Sequence, residues 1–118
     1  MTPDEFFAGK EPSKKLFDAV RREVESLGEV SMRVTKSQIA FRRQRAFAWV
    51  WTPGQYLKGA VAPLVLTVSL RERDKSPRWK EIVEPYPGRF THHLELYDKA
   101  EIDGEVRGWL RAAWEAAA

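Results

Sequence analysis

The sequence contains no cysteine, and this absence excludes disulfides, thiolate metal sites and cysteine nucleophiles. No apolar run approaches the ~20 residues that a transmembrane helix needs. The first residues, Met1 to Glu5, carry acidic side chains where a signal peptide carries basic ones. We therefore expect a soluble, cytoplasmic protein that does not enter a membrane.

Glycine-rich motifs are absent as well, because the seven glycines are scattered along the chain. This excludes a phosphate-binding glycine loop, a dinucleotide fingerprint and a nucleophile elbow. The sequence accordingly predicts no cofactor and identifies no catalytic residue, so a binding role is favoured over an enzymatic one.

Enough apolar material is present for one hydrophobic core. The chain has 118 residues, of which 43% are hydrophobic, and its five Trp, three Tyr and six Phe supply large areas for burial. A chain of this length is typical of one domain. We therefore predict a single domain over residues 1–118.

Acidic residues are missing from residues 30–71. That stretch carries seven positive charges. Since the net charge of the whole chain is +3, the remaining residues together carry −4. The seven are Arg33, Lys36, Arg42, Arg43, Arg45, Lys58 and Arg71. Such a basic middle indicates either a footprint for an anionic partner, nucleic acid or a phosphorylated ligand, or a well-solvated sheet face.

Capping signals and apolar spacing predict two longer helices and one short helical turn. Thr2-Pro3-Asp4-Glu5 has the form of a capping box with proline at the first helical position. Ser13 is the predicted N-cap of a helix that ends before Gly28, and the C-terminal helix starts at Asp103. Their apolar residues are Leu16, Phe17, Val20, Val24 and Leu27, then Val106, Trp109, Leu110 and Ala113.

Alternating apolar residues predict strands over residues 30–35, 38–43, 46–51, 64–70 and 89–97. The second and third strands form a tight hairpin around Gln44, and a loop through Lys58, Gly59 and Pro63 follows the third. Residues 71–88 are predicted to form a polar connection. Within it, Ser76-Pro77 starts a short helix carrying Trp79, Ile82 and Val83, and Trp79 anchors the connection to the core.

The order of these elements, helix then strands then helix, predicts an α+β fold. Each helix has one apolar stripe that needs a partner, so we expect an antiparallel sheet of about five strands with both helices packed on one face. The register of residues 46–51 decides where Phe47, Trp49 and Trp51 point. We predict that these rings belong to the core, and the alternative places them on an open face near Arg42.

Several segments of the chain resemble one known family. They are Val34 to Phe41, Phe47 to Trp51, Pro77 to Lys80, Arg89 to Leu94 and the closing helix around Trp109 and Leu110. Over almost the whole chain the sequence resembles the domain of unknown function 5655 family. The resemblance implies no activity and no catalytic residues. Related domains look to occur alone or appended to larger, some of them nuclease-like, proteins, which implies an accessory binding role.

Both histidines lie in the last predicted strand, where adjacent side chains point to opposite faces. His92 shares its side with apolar residues and is predicted to be a buried, hydrogen-bonded core histidine. His93 shares its side with Thr91, Glu95 and Tyr97, a polar set that suits acid–base chemistry or anion binding. The two rings cannot readily ligate one metal, so no metal site is predicted.

Three functional hypotheses follow. The leading one is a binding or accessory domain that meets an anionic partner through a basic sheet region. Its ligand-binding residues would be Lys36, Arg42, Arg43, Arg45, Trp49 and His93. The second is a small enzyme or pocket protein that uses Lys36, His93, Glu95 and Tyr97, with Ser37 beside Lys36 as a weaker nucleophile arrangement. The third is a self-associating protein, such as a homodimer, that uses the tryptophan strand.

Overall fold

The computed structural model describes residues 1–55 and 59–118. The predicted loop residue Lys58 lies outside the described residues. Within the described part of the chain, no helix is both long enough and apolar enough to cross a membrane.

Three α-helices of the described residues flank the strands in the sequence. Helix α1, Pro3–Phe6, begins with the predicted capping box, because the Thr2 hydroxyl accepts the Glu5 N–H and the Glu5 carboxylate accepts the Thr2 N–H. Helix α2 spans Glu11–Glu25, and helix α3 spans Gly104–Ala116 with Asp103 as its N-cap. The prediction of a helical turn and two longer helices is confirmed.

The prediction that Ser13 caps α2 is wrong. The helix begins earlier, at Glu11, with Lys10 at the N-cap and Pro12 in the first turn, where a missing N–H costs nothing. The Ser13 hydroxyl instead donates to the carbonyl of Pro63 at 2.6 Å, which ties the first turn of α2 to the start of the fourth strand.

One antiparallel sheet of six strands forms the centre of the molecule. The strands are β1 Ser31–Val34, β2 Ile39–Arg42, β3 Ala46–Trp51, β4 Leu64–Leu70, β5 Glu81–Tyr86 and β6 Arg89–Leu96. Their spatial order is β1-β2-β3-β4-β6-β5, so β1 and β5 form the two edges. The α+β class and the antiparallel sheet are confirmed, but the sheet has six strands where about five were predicted.

The strand that the sequence failed to predict is β5. It lies within the segment assigned to a polar connection with a short helix, and Ile82 and Val83 belong to this strand. Two features weaken the strand signal in the sequence. The strand contains Pro85, and its register with β6 shifts between Val83 and Tyr86. Both are tolerated because an edge strand pairs on one side only, where proline need not donate.

Both longer helices pack on the same face of the sheet. Phe41, Ala48, Val68 and His92 are directly opposite one another along the strands, so they point to one side. Helix α2 reaches this side because Phe17 stacks on Phe41, with ring centroids 6.2 Å apart. Helix α3 reaches it through Trp79, whose ring lies 4.1 Å from that of Trp109 and 4.8 Å from that of His92.

A β-bulge in β3 determines which aromatic rings enter the core. Phe41 pairs with Ala48 but Arg42 pairs with Ala46, so Phe47 is the extra residue of the bulge. Phe47 is buried with the helix-facing side chains, whereas Trp49 pairs with Thr67 on the opposite face and is half-buried. The prediction that all three rings of this strand are core is therefore right for Phe47 and wrong for Trp49 and Trp51.

The C-terminal end of α3 is held by one tryptophan and two arginines. The Trp114 indole donates to the Glu29 carbonyl at 3.0 Å, and its ring lies under the Arg43 guanidinium at 3.6 Å. Arg43 and Arg71 donate to the carbonyls of Trp114 and Ala116. Cationic donors at a helix C-terminus satisfy its last carbonyls and oppose the negative end of its dipole.

Replacing Leu110 with alanine should destabilise the protein by about 2 to 5 kcal/mol, because its side chain is 1% exposed and a cavity would remain. The free energy of unfolding measured in urea tests this expectation. Arg111→Ala, at the exposed neighbouring position, is the control and should change little. Equal stability of the two variants would contradict the packing of α3 described above.

Two glycine-to-alanine substitutions should change stability in opposite directions. Gly28 has φ +144°, and an added Cβ would approach Cζ2 of Trp114 to 2.7 Å, so Gly28→Ala should cost more than about 1 kcal/mol. Gly108 lies inside α3 with open space around its Cα, so Gly108→Ala should add about 0.5 to 1 kcal/mol. Melting temperatures of the two variants measure both effects, and a shift of the same sign in both would be inconsistent with this geometry.

Candidate functional site

The sheet face opposite the two longer helices, called the open face below, carries the half-buried Trp49, Trp51 and His93. Trp49, Thr67, His93 and Glu81 are directly opposite one another on β3, β4, β6 and β5, so they form a row across this open face. Beside this row, Trp51 pairs with Val65, which pairs with Glu95. The open face therefore combines two tryptophans with polar and ionisable side chains.

A first cleft of about 350 Å³ lies over this row. Its lining residues are Ser37, Gln38, Trp49, Trp51, Thr67, Thr91 and His93. Both tryptophan residues are half-buried. The cleft is large enough for a planar ring of the size of a nucleobase or a side chain.

A hydrogen-bonded chain holds His93 in the first cleft. The Trp51 indole N–H donates to the Thr67 hydroxyl at 3.3 Å, and that hydroxyl lies 2.7 Å from Nδ1 of His93. An indole can only donate, so the buried Thr67 hydroxyl accepts from Trp51 and shares a second hydrogen bond with Nδ1 of His93. Nε2, the other ring nitrogen of His93, has no hydrogen-bond partner in residues 1–55 and 59–118.

Burial lowers the pKa of His93 below its ordinary value, and the nearby Glu81 carboxylate opposes this shift. A lowered pKa keeps the imidazole neutral at pH 7. The prediction that His93 is at least partly exposed is confirmed, since the residue is half-buried. His93 therefore presents a neutral imidazole to the first cleft.

A second cleft of about 570 Å³ adjoins the first and shares Trp49 and Thr91 with it. Its other lining residues are Arg45, Ala46, Ser69, Pro85, Tyr86, Pro87 and Arg89. No acidic side chain is among them. Tyr86, at the end of β5, is 70% exposed and adds a further aromatic ring to this wall. The two clefts together form an aromatic groove with a basic end.

The predicted arginines have different surroundings. Arg45 lines the second cleft, and Arg42 lies next to it, because Arg42 pairs with Ala46. Arg43 instead stacks on Trp114 and donates to its carbonyl, so its guanidinium is used by the fold. Arg89 lines the second cleft although the sequence analysis assigned it no role, since it lies outside the stretch without acids.

Lys36 is exposed in the turn between β1 and β2 and lines neither cleft. The turn is organised by Thr35, whose hydroxyl accepts the N–H groups of Ser37 and Gln38 and donates to the Gln38 carbonyl. The hydroxyl pattern around Lys36 thus has a structural explanation as a polar turn.

The groups of the enzyme hypothesis do not meet in one cleft. Of Lys36, His93, Glu95 and Tyr97, the first cleft is lined by His93 alone. Glu95 lies beside the row on β6, and Tyr97 is exposed just after that strand ends. Among the described residues, no group of three or more His, Asp or Glu side chains could hold a metal ion.

His92 is a core residue on the helix side, as predicted, with no exposed surface. Its Nε2 accepts the backbone N–H of Asp74 at 3.0 Å, so Nδ1 carries the proton and donates to the Phe90 carbonyl at 3.0 Å. The Asp74 carboxylate accepts the indole N–H of Trp79 at 2.9 Å. The prediction that Trp79 anchors its segment to the core is therefore confirmed.

Acidification should destabilise the protein through its histidines. Burial lowers the pKa of His92 below the ordinary value near 6.5, and His93 is shifted in the same direction. As the pH falls below about 6.5, the unfolded chain binds protons first, so the free energy of unfolding decreases.

Urea unfolding at pH 7.5 and pH 5.5 measures this effect, with lower stability expected at pH 5.5. His92→Gln cannot ionise and should show a smaller difference between the two pH values, whatever its absolute stability. Stability that is unchanged or higher at pH 5.5 would contradict the neutral state of both rings.

Comparison with known proteins gives one match. The sequence model of the family described as "Domain of unknown function (DUF5655)" matches residues 3–117. No curated protein and no solved structure matches the chain significantly. The family resemblance inferred from the sequence is confirmed, and the function must be argued from the geometry of the open face.

Proposed function

The chain belongs to the DUF5655 family of domains of unknown function, and we propose that it binds single-stranded nucleic acid on the open face of its sheet. The observation that carries this proposal is the groove in which half-buried Trp49 and Trp51 adjoin a cleft lined by Arg45 and Arg89. Such a groove combines aromatic platforms with cationic side chains, the two elements of sequence-tolerant single-strand binding.

The tryptophans support stacking of bases. Their rings lie on a rigid strand, β3, which is paired on both sides by β2 and β4. Trp51 is oriented by its bond to Thr67, and the His93 ring meets it edge-on with centroids 6.4 Å apart. A base that stacks on Trp49 would lie in the cleft that His93 also lines. Only an unpaired strand offers exposed base faces and edges together.

The arginines support contact with the phosphate backbone. Arg45 and Arg89 form no ion pair with any residue of the described chain, and no acid lines their cleft. Arg33 and Arg42 are both exposed on this same face. Because residues 30–71 contain no acid, neither arginine has a competing carboxylate on its own strand. An anionic strand would neutralise these charges and release counterions.

Glu81 and Glu95 lie on the open face at the His93 end, away from the arginine cleft. The charges on the open face are therefore separated, with the acids at one end and the arginines at the other. This arrangement favours a ligand whose uncharged ring rests by His93 and whose phosphate rests by Arg45 and Arg89. Self-association through the tryptophan strand has less support, because the tryptophans share their face with the ionisable side chains of His93, Glu81 and Glu95.

The affinity for a fluorescein-labelled single-stranded oligonucleotide should fall steeply as the salt concentration rises. The double variant Arg45→Ala/Arg89→Ala should show a weaker dependence of affinity on salt. For each phosphate that the double variant no longer neutralises, the slope of log K against log[salt] should decrease by about 0.7. Fluorescence anisotropy measures the binding, with single-stranded DNA, single-stranded RNA and a duplex compared. The control is Arg22→Ala/Arg111→Ala, which removes the same charge from exposed helix positions. Absence of binding at low salt, or an equal loss in both double variants, would contradict the proposal.

Trp49→Ala should weaken binding by about 1 to 3 kcal/mol, the usual contribution of one stacked base. Trp49→Phe keeps an aromatic face and should retain most of the affinity. Tyr97→Ala, which removes an exposed aromatic ring outside both clefts, is the matched control. Quenching of tryptophan fluorescence on binding is the second readout. Equal affinities of the Trp49→Ala variant and the wild type would argue against stacking on this strand.

A further inference from the structure

Most polar groups that line the first cleft are already used by the fold. The hydroxyl groups of the cleft belong to Ser37, Thr67 and Thr91, and each has a hydrogen-bond partner within the protein. The indole N–H of Trp51 is used as well, because it donates to Thr67. These groups hold the cleft in shape and are not the ones that a ligand would find unoccupied.

Three polar groups of the cleft have no hydrogen-bond partner among the residues that the structure describes. They are the indole N–H of Trp49, Nε2 of His93 and the side-chain amide of Gln38. An indole can only donate, and a single ring nitrogen either donates or accepts. Of the three, only the amide presents a donor and an acceptor side by side in one plane. Gln38 is therefore the group in the first cleft that can form a pair of parallel hydrogen bonds with a ligand.

The backbone of Gln38 is fixed, so its amide starts from a defined position. The Thr35 hydroxyl accepts the Gln38 N–H at 3.2 Å, and the Gln38 carbonyl accepts the Thr35 N–H at 2.9 Å and the Thr35 hydroxyl at 3.1 Å. Ile39, the next residue, is buried in the core, so alternation places Gln38 on the open face. Gln38 precedes β2 and His93 lies on β6, so the two residues line the cleft on opposite sides of the tryptophan strand.

The chemistry of base edges indicates which base this amide suits. Stacking and phosphate contacts tolerate any sequence, whereas hydrogen bonds to base edges discriminate between bases. Adenine presents its 6-amino donor beside a ring-nitrogen acceptor on both of its polar edges, N6 with N7 and N6 with N1. A glutamine amide pairs with such an edge through two hydrogen bonds. The first cleft thus combines an aromatic platform with a group that matches adenine.

We propose that the first cleft is an adenine pocket, in which the base stacks on Trp49 and the Gln38 amide pairs with N6 and a neighbouring ring nitrogen of the base. The proposal rests on the proposed function, because the base belongs to the strand that the groove holds. It adds a preference for one base to that function. A free adenine nucleoside carries the same base and is the other source of this chemistry.

The first experiment compares two single-stranded oligodeoxynucleotides of equal length, one of adenine and one of purine, which is adenine without its 6-amino group. Both bases stack, so a difference in affinity reports the amino group. The adenine strand should bind at least about fivefold more tightly, which is the lower end of the discrimination that one bidentate pair supplies. Equal affinity of the two strands would overturn the adenine pocket while the proposed function stands. Absence of binding by both strands would overturn both proposals.

Substitution of Gln38 tests the assignment of the amide. Gln38→Ala should bind the adenine and purine strands with equal affinity, and the backbone bonds with Thr35 do not depend on the side chain that is removed. Gln44→Ala is the matched control, since Gln44 is exposed in the turn before β3 and lines neither cleft. The control should keep the full preference for adenine. Retention of that preference in the Gln38→Ala variant would overturn the assignment.

A conservative variant tests the chemistry of the pair. Gln38→Glu keeps the length of the side chain but replaces the amide with a carboxylate, which only accepts hydrogen bonds and suits the amino group of cytosine. The ratio of the affinities for adenine and cytosine strands should therefore fall severalfold. The added negative charge weakens binding of both strands and cancels in this ratio. A ratio equal to that of the wild type would contradict the adenine pocket.

Competition with adenosine distinguishes the source of the base. If the strand is the ligand, adenosine should displace a labelled adenine strand only at a much higher concentration than an unlabelled adenine strand does. Displacement at equal concentration would identify a free nucleoside as the ligand, which keeps the adenine pocket and contradicts single-strand binding. Circular dichroism of each variant checks the fold.

Discussion

The bulge at Phe47 is the local constraint on which both faces of the sheet depend. Without the extra residue, strict alternation would put Phe47 on the same side as Trp49 and Trp51. With it, Phe47 joins the core beneath the helices, while the two tryptophans remain on the open face. The same irregularity places Arg45 and Ala46 at the mouth of the second cleft. One extra residue in β3 therefore determines which aromatic side chains enter the core, which remain on the open face, and where Arg45 lies.

The sequence predicted the regular parts of this fold because their signals are local. The capping box at Thr2, the alternation of Leu64 to Leu70 and the apolar stripes of α2 and α3 each contain enough information within a few residues. The bulge could not be predicted, because its register is defined by the partner strand rather than by β3 itself. Strand β5 was missed for a related reason: Pro85 and the shifted register are acceptable only at a sheet edge, and sequence alone does not identify edges.

The candidate site was predicted in part. Trp49, His93 and Arg45 were named from the sequence and do line the clefts, because strand alternation and the charge distribution identify them. Arg43 was named from the same charge distribution, but its guanidinium is used to hold the end of α3. Thr67 and Arg89 were missed, since their roles arise from strands that are distant in sequence. The sequence shows where the basic residues are. It does not show which of them form structural contacts and which remain available to a ligand.

Tyr86 links the second cleft to an edge of the sheet. This residue ends β5, the edge strand with the irregular register, and yet it forms a wall of the second cleft together with residues of β3 and β6. A ligand in the second cleft would contact both an interior strand, β3, and the edge strand β5. A bound ligand would therefore connect β5 to β3 across the sheet. Any conformational entropy that β5 loses on binding would then reduce the affinity for that ligand.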